Sequence, residues 1–191
     1  SFSASRLSLI DRGMVYAIAH IRGGMDKGKK WYQDGKKKKK INTFEDFICS
    51  ALYLKKERIS GEISIHGGSA GGLLVGATLN IRPDIFKAAV AEVPFVDVLN
   101  TILDDTLPLT PPEWEEWGNP IKNIEDFQYI SSYSPYDNIK EQDYPTLLVT
   151  SGLTDPRVTY WEATKWVAKL RDKKTDTNPL FLKTYTEAGH G

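Results

Sequence analysis

Glu62-Ile63-Ser64-Ile65-His66-Gly67-Gly68-Ser69-Ala70-Gly71-Gly72-Leu73 is the stretch that decides the fold class of this chain. Glu62–His66 reads as a short strand. Gly71–Asn80 reads as a helix of small residues that ends before Pro83. Between them stands Gly-x-Ser-x-Gly, and strand, tight turn and helix are the context a nucleophile elbow requires. So tight a turn puts Ser69 in a strained backbone conformation. Glycine at the flanking positions 67 and 71 then avoids a side-chain collision. Ser69 Oγ is expected to project above the carboxyl edge of a sheet. The N–H of Ala70, at the helix start, is expected to point to where an oxyanion forms. The competing reading is a Gly-rich phosphate cradle, which wants a lysine after its last glycine; Leu73 stands there instead.

Outward from this segment the pattern alternates. Strands are expected at Met14–His20, Lys87–Glu92, Thr146–Thr150 and Leu180–Tyr185, and helices at Thr43–Lys56 and Val158–Lys173. Met14–His20 is an apolar run between Gly13 and the Arg22-Gly23-Gly24 turn, as in a strand buried on both faces. Thr43 can cap the next helix and Asp46 favours the same end. Phe44, Phe47, Ile48, Ala51, Leu52 and Leu54 recur at helical spacing within it. Strands alternating with helices imply an α/β fold, a mostly parallel sheet with helices on both faces. Residues 24–42 are polar and Gly/Lys-rich and read as a loop. Residues 93–144 are irregular and rich in Pro, Asp, Trp and Tyr; a stretch this long inside a compact domain carries function.

Composition narrows the function classes. The 191 residues, 40% hydrophobic and 26% charged, suit one globular domain. Lys+Arg and Asp+Glu both number 25, so the formal net charge is zero. No broad cationic surface for nucleic acid is expected, and the Lys36–Lys40 run reads as a solvated loop. A single cysteine, Cys49, excludes an internal disulfide or a multi-cysteine zinc site and fits a reducing, cytoplasmic compartment. No apolar run approaches the roughly 18 residues of a membrane span, and no basic-then-apolar leader opens SFSASRLSLIDRG. Neither a metal nor a cofactor is called for.

A serine nucleophile needs a base. In the nucleophile-elbow arrangement the partners follow in the order Ser, Asp or Glu, His, and of His20, His66 and His190 only His190 follows Ser69. It lies beyond the last strand, where a loop can bring it over the elbow. His66, on the entering strand, reads as a packing or hydrogen-bonding residue. The orienting acid belongs at the carboxyl end of a strand, and Asp155 follows Thr146–Thr150 by a short turn. Asp176 is its rival, in a helix-to-strand loop at the opposite edge.

With these residues in place, the chain resembles the catalytic domain of the prolyl oligopeptidase family of serine peptidases, and specifically its oligopeptidase B branch, an α/β-hydrolase fold. The resemblance rests on RLSLIDRGMVYAIAHIRGG, WYQDGK, NTFEDF, HGGSAGG, VPFVDVL, EWGNP, YSPYDN, GLTDPRV and AGHG. It implies the triad Ser69, Asp155 and His190, and cleavage of short peptides after Arg or Lys. The first and third residues of the family's E-x-E segment map onto Glu113 and Glu115, expected to line the pocket for the basic side chain; two carboxylates can bond a guanidinium. A solvated acidic helix start after Pro111 and Pro112 is the plainer reading. Arg157 resembles a position that holds a substrate carbonyl, against a surface ion pair. Trp114, Trp117 and Trp161 wall the pocket or pack in the core.

The resemblance also implies segments outside these 191 residues: a β-propeller, first strands bearing a tyrosine that supplies a second oxyanion donor, and a final helix. The expectation is therefore most of one domain of a two-domain enzyme, weakly active or inactive alone, with a separately encoded propeller or N-terminal fragment as a partner. The rival readings are another α/β-hydrolase, such as an esterase or acylaminoacyl peptidase, and a catalytically dead remnant.

Overall fold

The computed structural model describes residues 3–190; Gly191, the last residue of the AGHG segment, lies outside that range. Four strands form one sheet in the order β1 (Ser64–Gly68), β2 (Ala88–Glu92), β3 (Thr146–Gly152) and β4 (Leu180–Tyr185). All three neighbouring pairs are parallel, with His66 opposite Val90, Val90 opposite Leu148 and Leu148 opposite Phe181. Eight α-helices accompany them among the described residues. They are α1 (Leu7–Ile10), α2 (Lys29–Gln33), α3 (Ile41–Lys56), α4 (Ala70–Ile81), α5 (Val98–Leu103), α6 (Thr110–Trp117), α7 (Ile124–Tyr133) and α8 (Tyr160–Lys173).

Strand order equals chain order, which has a geometric consequence. Parallel crossovers are right-handed, and a sheet wound steadily in one direction therefore puts every crossover on the same face. Burial follows. Ile65, Ala89, Ala91, Leu147 and Val149 are buried in one cluster with Val75 and Leu79 of α4, and with Ala163, Trp166, Val167 and Leu170 of α8. Their neighbours on the other face, Leu148 and Phe181, are 37% and 57% exposed. The expected helices on both faces are thus met on one face among the described residues. A second cluster, with Phe44, Leu73, Phe95, Ile102, Trp117, Ile130 and Tyr133, lies beside the carboxyl ends of the strands.

Four further expectations change. Met14–His20 takes no strand ladder, and Val15 and Ile18 are 64% and 50% exposed. Apolar composition alone does not make a strand; its backbone groups need a neighbour to pair with. Thr43 does not cap α3, which begins at Ile41. Its hydroxyl instead donates to Arg22 O at 2.7 Å, and Asp46 takes both Nε and Nη2 of Arg22, tying residues 20–24 to the helix. Residues 93–144, expected to be irregular, hold α5, α6 and α7, and residues 24–42 hold α2. The signal in α7 was short: Asn123 accepts from the N–H groups of Glu125 and Asp126 as an N-cap, ahead of Phe127 and Ile130.

Trp166 is 1% exposed, at the junction of α8, α4 and the sheet. Trp166→Ala is expected to cost about 3–5 kcal/mol in denaturant unfolding. Trp166→Phe, which keeps an aromatic ring and removes the unpartnered Nε1–H, is expected to cost much less.

Candidate active site

Ser69 stands between β1 and α4 with φ 55° and ψ −117°, a conformation that L-residues rarely adopt. Backbone hydrogen bonds hold it there. Its N–H donates to Glu92 O at 2.9 Å. Its carbonyl accepts from Phe95 N at 3.0 Å and from Gly72 and Leu73 in the first turn of α4. Val93, at the end of β2, is a second strained residue, with φ 39°. The steric requirement differs from the expected pair of glycines. A Cβ at Gly67 would lie 2.2 Å from Gly71 O, and one at Gly72 would lie 2.4 Å from Pro94 Cβ, whereas one at Gly71 meets open space. The close approach is between the elbow and the β2 loop, so the second indispensable glycine is 72.

The carboxyl ends of β3 and β4 supply the other two groups. His190 Nε2 lies 3.1 Å from Ser69 Oγ, and His190 Nδ1 lies 2.8 Å from Asp155 Oδ2. Asp155 Oδ1 accepts the N–H groups of Arg157 and Val158 at 2.8 and 3.0 Å, which fixes the plane of the carboxylate. The Asp155 side chain is fully buried and His190 is 20% exposed. Gly152 makes room for the loop that carries His190: a Cβ there would lie 2.2 Å from Gly189 O. Thr154 Oγ1 donates to Ala188 O at 3.0 Å and pins the same loop. A hydroxyl so placed can pass its proton to the ring as its oxygen attacks a carbonyl, while the carboxylate steadies the imidazolium. Ala70 opens α4, so its N–H has no carbonyl one turn back to bond.

Beside Ser69 and Ala70 lies an open cleft. Phe95, Ile102, Leu107, Pro108 and Trp117 give it apolar walls; Glu113, Glu162 and Arg157 are its charged lining residues. Glu113 Oε2 accepts Trp117 Nε1–H at 2.9 Å. Glu115 is not brought into the cleft. Its side chain is 87% exposed and pairs with Lys37 at 3.0 Å. The reason is helical: residues two apart point to nearly opposite sides of α6. Trp117 lines the cleft. Trp114 instead donates to Ile102 O, and Trp161 is 46% exposed against Tyr160.

The Lys36–Lys40 run is bound to acidic residues rather than free in solvent. Lys37 meets Glu115, Lys38 meets Glu125, and Lys40 meets Glu116 at 3.4 Å under the Trp117 ring. Burial lowers the Lys40 ammonium below the usual lysine range, with Glu116 opposing the shift. His66 pairs with Glu92 at 3.0 Å and His20 with Asp26 at 2.9 Å. Asp176 accepts Tyr144 N–H and pairs with Lys174, at the amino edge of the sheet. Glu162 was missed in the sequence. It is 1% exposed on α8, and burial pushes its carboxyl up to about 7. Its one signal is a lone Glu in an otherwise apolar helix face, with Ala163, Trp166 and Val167. Among the described residues no group of three or more His, Cys, Asp and Glu is placed to hold a metal, and no helix is long and apolar enough to cross a membrane.

Gly152→Val is expected to displace the His190 loop. Reaction of Ser69 with a fluorophosphonate probe should then fall by about 100-fold while far-ultraviolet circular dichroism stays unchanged.

The chain is similar to known proteins over nearly its whole length. The chain is 50% identical to Protease 2 of Moraxella lacunata over 191 residues, 99% of this chain and 28% of that protein. It is 51% identical to dipeptidyl aminopeptidase BI of Pseudoxanthomonas mexicana, covering 100% of this chain and 27% of that protein. The solved structure of oligopeptidase B from Leishmania major superposes with a TM-score of 0.96 at 52% identity, over 99% of this chain and 26% of that one. The chain thus spans just over a quarter of the length of these relatives. The sequence pattern of the prolyl oligopeptidase family matches residues 1–191, and the chain belongs to that family.

Proposed function

We propose that this chain carries the catalytic core of a serine peptidase that hydrolyses short peptides after Arg or Lys. The observation that supports this most is the unbroken hydrogen-bonded series Ser69–His190–Asp155, opening beside a cleft that bears Glu113. Ser69 Oγ attacks the scissile carbonyl and its proton passes to His190 Nε2. The Ala70 N–H stabilises the tetrahedral oxyanion. The C–N bond then breaks, with His190 returning the proton to the departing amine and leaving an ester on Ser69. Water, deprotonated by His190, attacks that ester, the acid product leaves, and Ser69 regains its proton. Asp155 keeps the ring in the tautomer that accepts from Ser69 and steadies its charged form.

In this reading the apolar walls accommodate the aliphatic stem of an Arg or Lys, and Glu113 meets its charged end. Arg157, in the cleft lining, is proposed to hold a substrate carbonyl. Glu115 is tied to Lys37 and has no direct part in the free protein. The substrates are short basic peptides, and a propeller or N-terminal fragment encoded elsewhere would be a partner for this core. The lone Cys49, an exposed thiol, fits a cytoplasmic setting.

A second reading has its own support, because a relative of similar identity, 51%, is named a dipeptidyl aminopeptidase. It keeps the triad and changes what the cleft selects. Chromogenic peptide substrates with free and blocked amino termini, each with Arg or a neutral residue before the leaving group, separate the two. For the first reading, blocked Arg substrates are expected to be cleaved. Glu113→Gln is expected to lower kcat/KM for Arg by about tenfold to a hundredfold, the loss of a charge-assisted bond. Cleavage confined to free amino termini, or an Arg preference unchanged by Glu113→Gln, would sink it. Fluorophosphonate labelling that disappears in Ser69→Ala is expected for a live nucleophile. A folded chain that takes no label would be the inactive remnant.

A further inference from the structure

Besides Glu113, a second carboxylate lines the cleft, and it is not the one two residues along α6. Glu162 reaches the same lining from another helix, α8. We infer that Glu162 is a specificity-determining residue of this site: with Glu113 it makes the cleft an acceptor of cationic side chains, and it does so by ionising when the cation enters. The inference rests on the peptidase reading for its substrate, and on the cavity lining for its site.

The surroundings of Glu162 suit a charge that is held in reserve. Its Oε2 accepts the backbone N–H groups of Val96 and Asp97, both at 3.0 Å. Its Oε1 accepts the Thr101 hydroxyl at 2.6 Å. These three donors come from the segment that follows Phe95, whose own N–H donates to Ser69 O. The carboxylate therefore sits where the pocket wall joins the elbow. The donors favour its ionised form, and burial opposes them more strongly, raising it to about 7. The charged groups nearby are Asp97, Lys165, Glu113, Arg157 and the Asp155–His190 pair. Asp97 raises Glu162 further, but is itself paired with Lys165 at 2.5 Å. Within the cleft lining Arg157 is the one cation, and it is exposed. A guanidinium or ammonium brought into the cleft by substrate adds a positive charge in a place of low dielectric, and an opposite charge favours ionisation. Binding a cation should therefore release a proton between pH 6 and 8, whereas binding a neutral isostere should not. The sign is fixed: cation affinity rises with pH, because only the ionised carboxylate attracts it.

The test compares Arg and citrulline in the same chromogenic peptide, since citrulline has the shape of arginine without its charge. The triad is common to both reactions, so its contribution cancels in the ratio. For the full chain the ratio of kcat/KM, Arg over citrulline, is expected to rise by up to about tenfold from pH 6 to pH 8, following a group near pH 7. The change should lie in KM rather than kcat. In Glu162→Gln the ratio should be smaller and independent of pH. That variant turns an amide toward the N–H donors of Val96 and Asp97 and can unfold. A second measurement is therefore made on the Ser69→Ala protein, where nothing is hydrolysed. Benzamidine binding is followed by calorimetry at pH 7 in two buffers of different ionisation enthalpy, and release of about half a proton per molecule bound is expected. A clear Arg preference with a flat pH ratio and no proton release would overturn the role of Glu162 while leaving the peptidase reading standing. No Arg preference at any pH, with no benzamidine binding, would overturn both. Benzamidine binding with proton release but no hydrolysis would uphold Glu162 and overturn the peptidase reading.

Discussion

A single backbone conformation organises this molecule. Ser69 is held at φ 55° by bonds to Glu92, Phe95, Gly72 and Leu73. Such a conformation costs about 1–3 kcal/mol and persists only where its surroundings over-determine it. Here they do so from two sides, the end of β2 and the first turn of α4. The first turn of α4 approaches β1 closely enough to forbid a side chain at Gly67, and Pro94 approaches closely enough to forbid one at Gly72. Val93, also left-handed, lets the chain turn back from β2 so that Pro94 packs on Gly72 and Phe95 N–H reaches Ser69 O. The strain therefore spans two loops, and the geometry of Ser69 depends on both.

The other side chains of the site arrive by topology. Parallel strands place their carboxyl ends on one edge, and each strand in turn delivers part of the site there: Ser69 after β1, the Phe95–Asp97 wall after β2, Asp155 after β3 and His190 after β4. Crevices at this edge are where open α/β sheets bind ligands. The last step needs a contact rather than a strand. The His190 loop lies on Gly152, and only a residue without Cβ permits that approach.

Electrostatics is arranged locally in a chain of zero net charge. Of the three carboxylates in Glu113-Trp114-Glu115-Glu116, two are neutralised from outside by Lys37 and Lys40. Glu113 alone turns toward the cleft, bonded to Trp117, whose ring also covers Lys40. The lysine run thus straps α6 to the body of the protein and leaves one acidic side chain facing inward. Glu162 adds a second carboxyl group from a helix nearly fifty residues further on, where burial makes ionisation costly.

Much of the fold was legible in the sequence because its signals are local. Gly-Gly-Ser-Ala-Gly between a strand and a helix, the periodicity of α3 and α8, and the apolar runs of β2, β3 and β4 each depend on residues within one turn or one strand. The order Ser69, Asp155, His190 was legible for the same reason, each residue lying just past a readable strand. Where local pattern misled, long-range pairing had decided the outcome. Met14–His20 looks like a buried strand and takes no ladder, and Thr43 looks like a cap and bonds Arg22 instead. The short helices α5 to α7 carry too few turns for periodicity to stand out. Glu113 and Glu115 form one motif in the chain, but a helix turns about 100° per residue and sends them to different faces. Only the tertiary structure could separate them, and only it could bring Glu162 to the same cleft. A sequence records spacing along one dimension, whereas the charge a substrate meets is set by which side chains converge in three.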